Sequence, residues 1–306
     1  MKIHLYQIYY DENTRKALDP AFLPLDNSHS ARPDWYEYWP MRTILQNKSF
    51  ADSDYLGIFS PRFRAKTGFS GAKVHDLVAQ SGTEVVGFSP IFPEIARHQN
   101  IFLQGEFRQP GVLGACQDAF ETIGLGLDLK NLWADQTRSI FSNYFVARYG
   151  FWREWFELSE QIFAICERGD TPLAARLTAF VQHRDVKDRY QMKIFVVERL
   201  VNAMLEARNI NADARFNFPF QRDLYNESGA RRGKTPVDYG VFLLLDALRA
   251  DHVQMELSER VKMLEKQRCR AGCVNPTRSK RQYVKTRQHG FLNLYRHHHS
   301  KNRALS

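Results

Sequence analysis

Three carboxylates stand in surroundings that could give them chemical work: Glu37, Asp26 and Glu198. Glu37 lies in RPDWYEYWPMR (32–42), between two tyrosines and close to Trp35 and Trp39. A carboxylate set among aromatic rings can hold a hydroxyl or take its proton; otherwise it is a surface helix residue. Asp26 and Asn27 end FLPLDN (22–27) and could orient hydroxyls, or close a turn through side-chain to backbone bonds. Glu198 interrupts the apolar pattern KIFVVERL (193–200), as an active-site carboxylate or as the partner of a nearby arginine. Arg42, Arg62, Arg64 and Lys66 could bind anionic oxygens, arginine in bidentate fashion; for any one of them a solvated charge is the plainer role. Ser60 ends the apolar run YLGIFS and would face a crevice if its sheet is parallel. Asn143 and Tyr144 lie within IFSNYFVA, where a polar amide among apolar residues needs partners, either a structural hub or a ligand.

Other polar groups are weaker candidates. His98, Gln99, Asn100, Gln104 and Glu106 form a cluster that could line a second subsite. Asp52-Ser53-Asp54 has the spacing of a divalent-ion pair, as do the isolated Asp128 and Asp135 in type, but the pair precedes a strand rather than following one. Cys269 and Cys273 have a spacing zinc accepts, while the histidines after them are loosely placed. No metal ligand is assigned, and no cofactor is specified. The chain has no Gly-x-Gly-x-x-Gly, no phosphate loop ending in Gly-Lys-Ser/Thr, no Gly-x-Ser-x-Gly and no His-Glu-x-x-His. These absences argue against a Rossmann dehydrogenase, a P-loop nucleotidase, an elbow hydrolase and a zinc protease.

The elements that must position these groups alternate. Lys2–Tyr10, Tyr55–Ser60, Glu84–Ser89 and Ile140–Ala147 read as strands, with Ala212–Phe220 as a late one. Helices are expected from about Trp35 to Asn47 with Pro40 in the first turn, over Ser70–Ser81 with Ser70 as cap, over Phe92–Phe107, and after Pro110. Further helices are expected over Phe151–Glu167, from Thr171-Pro172, over Gln191–Arg208, and over Pro236–Leu264. Cys116 and Cys166 read as small core residues. The order implies an α/β fold with a mostly parallel sheet flanked by helices, a helical C-terminal extension and a basic tail. One domain boundary is expected, giving residues 1–264 and a tail 265–306.

Charge supports that boundary. From Lys262 to the end there are 12 Lys plus Arg and one acid, against 31 and 33 in the rest of the 306-residue chain. Such a tail can meet an anionic membrane surface, nucleic acid or an acidic partner, or simply keep the chain soluble. Tyr283, Phe291 and Tyr295 interleave with its cations, as stacking on nucleic acid would require, but the body shows no nucleic-acid motif. No apolar run reaches the ~20 residues that span a bilayer. The amino terminus lacks the pattern of a signal peptide, so a cytoplasmic location is expected.

The segments IYYDE (8–12), FLPLDN, RPDWYEYWPMR, YLGIFSPRFRAKTG (55–68), FSNYFVARYGFWREWF (141–156) and KIFVVERL, in this order, resemble bacterial glycosyltransferase-like proteins of polysaccharide and lipopolysaccharide loci. The resemblance covers about residues 1–205 and is one of pattern and order. It implies a GT-A-like domain that moves a sugar from a nucleotide-sugar donor to a glycan or lipid-linked acceptor, working in the cytoplasm or peripherally at the inner membrane. On that expectation Glu37, Asp26 and Glu198 would be catalytic. Asn27, Trp35, Arg42, Ser60, Lys66, Asn143 and Tyr144 would bind substrate, and a divalent ion on the diphosphate would lack its usual motif here. The alternatives are a non-catalytic binding or scaffolding protein with the same fold, and nucleic-acid binding through the tail.

Overall fold

The computed structural model describes residues 1–182, 189–230 and 240–253, all within the unit Met1–Val253. The boundary expected at 265, the basic tail and the Cys269/Cys273 pair lie outside the described residues. Six strands form the central sheet: β1 (Ile3–Tyr9), β2 (Leu23–Asp26), β3 (Tyr55–Phe59), β4 (Val85–Gly87), β5 (Phe145–Arg148) and, beyond the small hairpin of β6 (Phe180–Gln182) and β7 (Arg189–Gln191), β8 (Asp213–Ala214). Their order is β2-β1-β3-β5-β4-β8. β1 runs parallel to β2 and β3, and β4 parallel to β8, while β5 is antiparallel to both of its neighbours.

β3 is buried at all five positions because helices cover both of its faces, so its sequence is a continuous apolar run rather than an alternation. The period of two appears in where the side chains go. Leu56, Ile58, Phe145 and Ala147 enter one core layer, while Tyr55, Phe59 and Val146 enter the other. The first layer is closed by the helices Tyr149–Arg168 and Met192–Ala207. Trp152 stacks on Phe145 at 4.4 Å and donates its indole N–H to the Leu56 carbonyl at 2.7 Å, fastening the first of these helices to the sheet. Ser70 and Thr171 cap their helices as expected, and Cys116 and Cys166 are buried.

Several elements differ from expectation; the helix expected from Trp35 begins at Tyr38, because Tyr36 has a left-handed backbone angle (φ 46°) that separates it from the short turn Pro33–Trp35. The run 140–147 is a strand only from Phe145, because Ser142 and Asn143 adopt left-handed backbone angles (φ 60° and 51°) and turn the chain. The expected helix 92–107 is two helices, Phe92–Arg97 and Ile101–Arg108, since the Asn100 side chain accepts from the N–H groups of Phe102 and Leu103 and starts a new one. The stretch 212–220 pairs with the sheet for two residues only and passes into the helix Phe218–Ala230. Of the helix expected over 236–264, residues 240–253 are helical and the rest lies outside the described residues. No helix among the described residues is long and apolar enough to cross a membrane.

Candidate functional site

β1 and β3 end at one edge of the sheet, and reversed β5 begins there, so Tyr10, Ser60 and Asn143 arrive at one place from three strands. They line a cavity of about 430 Å³. Its floor and walls also include Trp35, Tyr36 and Glu37 before the helix Tyr38–Asn47, Arg62 and Lys66 after β3, Ser142, Tyr190, and Phe195 and Glu198 from the helix Met192–Ala207. The carboxyl end of parallel strands is where open α/β sheets leave room for ligands, and the volume falls within the range of small-molecule sites.

Inside, the carboxylates are held differently. Glu198 accepts the backbone N–H of Ser142 at 2.7 Å, so it pins the left-handed turn that presents Asn143. It makes no pair with its neighbour Arg199, which turns inward to the Phe195 carbonyl and Gln109. Glu37 keeps an edge open to the cavity, yet its carboxyl group lies deep. Burial pushes its pKa up to about 7, against the pull of Lys66, and the negative charge of Glu198 adds to the rise. The nearby Ser60 hydroxyl acts in the opposite sense. The Ser60 hydroxyl is also 2.5 Å from the Tyr144 hydroxyl, and the amide of buried Gln7 donates to the Ser60 carbonyl at 3.3 Å. Burial, then the charge of Glu37, raises the Tyr144 hydroxyl well beyond its ordinary value, so Tyr144 stays a neutral donor. Tyr144 and Ser60 thus stand beside a carboxyl group whose pKa burial raises to about 7.

The mouth carries the opposite charge. Arg62 is exposed, and the Lys66 ammonium lies 3.4 Å from the Ser142 hydroxyl and over the Tyr144 ring. Tyr36 and Tyr190 meet edge to face at 5.4 Å on the rim. Strain concentrates here as well: of the four non-glycine residues with positive φ among the described residues, Tyr36, Ser142 and Asn143 line this cavity. Asn143 is 7% exposed, and its Oδ1 finds no protein partner. A chain that holds a buried, unpaired amide in an uncommon backbone conformation is built around something that uses it.

Seven of the ten residues singled out from the sequence thus meet at one place: Glu37, Glu198, Trp35, Ser60, Lys66 and Asn143 on the cavity wall and Tyr144 behind Ser60. Three do not. Asp26 is exposed at the end of β2, where the Ser28 hydroxyl at 2.6 Å, then Tyr9, hold its pKa down to about 2; it closes a turn. Asn27 follows it, with its N–H on the Tyr9 carbonyl, and does not line the cavity. Arg42 is committed to Glu160 through two hydrogen bonds of 2.7 and 2.8 Å. Asp54 lies at the opposite end of β3, beside His4 and the Lys2 N–H. The polar cluster 98–106 serves structure: Asn100 caps, Gln104 reaches Glu94, and Glu106 accepts the N–H groups of Gly111 and Leu113. The sequence does not single out Tyr10, Thr14, Tyr36, Tyr190 or Phe195; for Tyr10 the available signal is its place at the carboxyl end of the first strand run. No group of three or more potential metal ligands occurs among the described residues.

The chain matches no protein-family model, no curated protein and no solved structure.

Proposed function

We propose that this protein is a GT-A-like glycosyltransferase that moves a sugar from a nucleotide-sugar donor to a glycan or lipid-linked acceptor. One observation carries the reading: a carboxyl group poised near neutrality, Glu37, shares a cavity with a second carboxylate, two cations and a wall of aromatic rings. Glycosyl transfer uses each part. Glu37 takes the proton of the acceptor hydroxyl as that oxygen attacks the anomeric carbon and the bond to the leaving diphosphate breaks. Arg62 and Lys66 hold the diphosphate oxygens at the mouth. Tyr36 and Tyr190 offer a face to the base, and Asn143 meets sugar hydroxyls with the amide that has no protein partner. Glu198 positions the 142–143 turn through its 2.7 Å bond.

Calorimetric titration with UDP-, GDP- and CMP-sugars, with and without Mg²⁺ or Mn²⁺, tests this. One of them is expected to bind and to be hydrolysed slowly without acceptor; absence of binding by all would remove the proposal. Lys66→Met is expected to weaken the bound donor about 10- to 100-fold, the value of a hydrogen bond to a charged group. The difference from wild type should shrink as salt is added. An unchanged Kd would place the diphosphate elsewhere.

A further inference from the structure

Charges around the cavity are paired, and those inside it are not. Behind its wall Arg42 meets Glu160 and Arg32 meets Glu167 at 2.7 Å, and Lys193 meets Asp34 at 2.6 Å. Glu37 and Glu198 in the interior, and Arg62 and Lys66 at the mouth, form no ion pair among the described residues. Glu198 spends one carboxylate oxygen on the Ser142 N–H and leaves the other without a hydrogen bond among the described residues. The turn it holds carries a second, independent sign of a ligand. Asn143 is 7% exposed, and its Oδ1 has no protein partner. A buried acceptor beside an unpaired carboxylate calls for a donor, and a charged donor serves both.

We infer that the ligand is a zwitterion, an amino sugar whose free ammonium group meets Glu198 and Asn143 while its phosphate is held at the mouth by Arg62 and Lys66. That it is a sugar rests on the transferase reading; the charge pattern does not. A neutral hydroxyl in this place would displace water from Glu198 and return no charge to it, which is costly. An acidic group would face the carboxylate directly and be repelled. An N-acetyl group is neutral as well as bulkier. A divalent ion would take the same oxygens, but a hard ion draws several at once. No third carboxylate, histidine or cysteine joins these two among the described residues. Glu37 is left for the acceptor hydroxyl, so recognition and chemistry fall to different carboxylates.

Calorimetry on the full chain tests the inference with glucosamine 1-phosphate, glucose 1-phosphate and N-acetylglucosamine 1-phosphate, and with the corresponding galactose series. In at least one series the ammonium form should bind about 10- to 100-fold tighter than the other two, the value of a hydrogen bond to a charged group. Glu198→Gln keeps an oxygen for the Ser142 N–H, so its Tm should stay close to wild type, and it should erase the preference while leaving the glucose and galactose forms unchanged. Lys66→Met should weaken all forms alike. Asn143→Asp, which adds a charge at a residue type that tolerates left-handed angles, should widen the preference. Equal affinities within both series, or no binding in either, would overturn the inference. So would an unaltered preference in Asn143→Asp, or a Glu198→Gln variant that weakens every form equally, since Glu198 would then only hold the turn. Binding of Mg²⁺ alone that Glu198→Gln abolishes would assign the carboxylates to a metal and overturn it too. A preferred amino-sugar phosphate with no nucleotide-sugar bound would sink the transferase reading and leave the zwitterion standing; nucleotide-sugars bound without an ammonium preference would do the reverse.

Discussion

Glu37→Gln is expected to lower turnover by about 10²- to 10⁴-fold, the span of a lost general base, while making the folded chain more stable above neutral pH. The two effects share one cause. Burial, aided by Glu198, raises the Glu37 pKa from 4.5 to about 7. The folded protein therefore holds this proton more tightly than the unfolded chain does. The contribution to stability is complete below about 4.5 and is lost as pH rises through about 7. Ionising Glu37 in place costs about 3 kcal/mol as an upper figure, because the side chain keeps an edge open to the cavity. Gln has the same shape and never ionises, so near pH 8.5 its Tm should exceed wild type by about 5 °C, with the gap closing near pH 5. The wild-type pH–rate profile should rise through about 7, and this limb should be missing in the variant. Equal melting temperatures at alkaline pH would show that Glu37 is not desolvated. Unchanged turnover would remove it from the chemistry while leaving the stability effect intact.

Gly105→Ala is expected to destabilise the protein by about 2–4 kcal/mol, through overpacking. Gly105 lies on the helix Ile101–Arg108, facing Arg199. A Cβ there would come within 2.6 Å of the Arg199 Nε and Nη2 and 2.8 Å of its Cζ. The end of an arginine side chain usually moves aside at little cost. This one is 3% exposed and donates to the carbonyls of Ile101 and Phe195 and to Gln109. Moving it breaks bonds to a buried charge; keeping it splays the two helices. Either outcome should lower Tm by roughly 5–10 °C in a chain of this size. Gly105→Ala combined with Arg199→Met should recover part of the loss, since replacing a buried charge with an apolar side chain is often neutral. A double variant as unstable as the single one would place the strain in the helix backbone instead. The site adjoins this contact, because Glu198 directly precedes Arg199 on the same helix, about 100° around its axis.

Much of this arrangement could be read from residue order. The long amphipathic runs produced the helices Tyr149–Arg168 and Met192–Ala207, and Ser70 marked its helix start by chemistry alone. Ser60 could be placed because a short apolar run that ends at a polar residue and proline has few other readings. Strand direction could not be read. β5 is buried like its neighbours, and a strand covered on both faces has no pattern that distinguishes parallel from antiparallel. That reversal turns residues 142–143 toward the cavity. The pair looked like the interior of a strand because it is flanked by Phe141 and Tyr144, although Asn is among the residues that tolerate left-handed angles. Asp26 misled for the opposite reason. Its position at a strand end suits a ligand, but Ser28 two residues later offered its carboxylate a nearer partner. Tyr190 could not be placed at all, since it reaches the cavity from the small hairpin β6–β7, far from the sheet in sequence.

The two rims of the central sheet are both blunted. β2 is four residues long and carries Pro24, which has no N–H to offer a newcomer, and β8 on the other side pairs for only two residues. Unprotected rims invite strand-by-strand templating between molecules, and shortness or proline discourages it. Concentrated protein should therefore resist fibre-like stacking. Crowding, heat or partial unfolding would first have to peel away a rim before amyloid-type growth could begin.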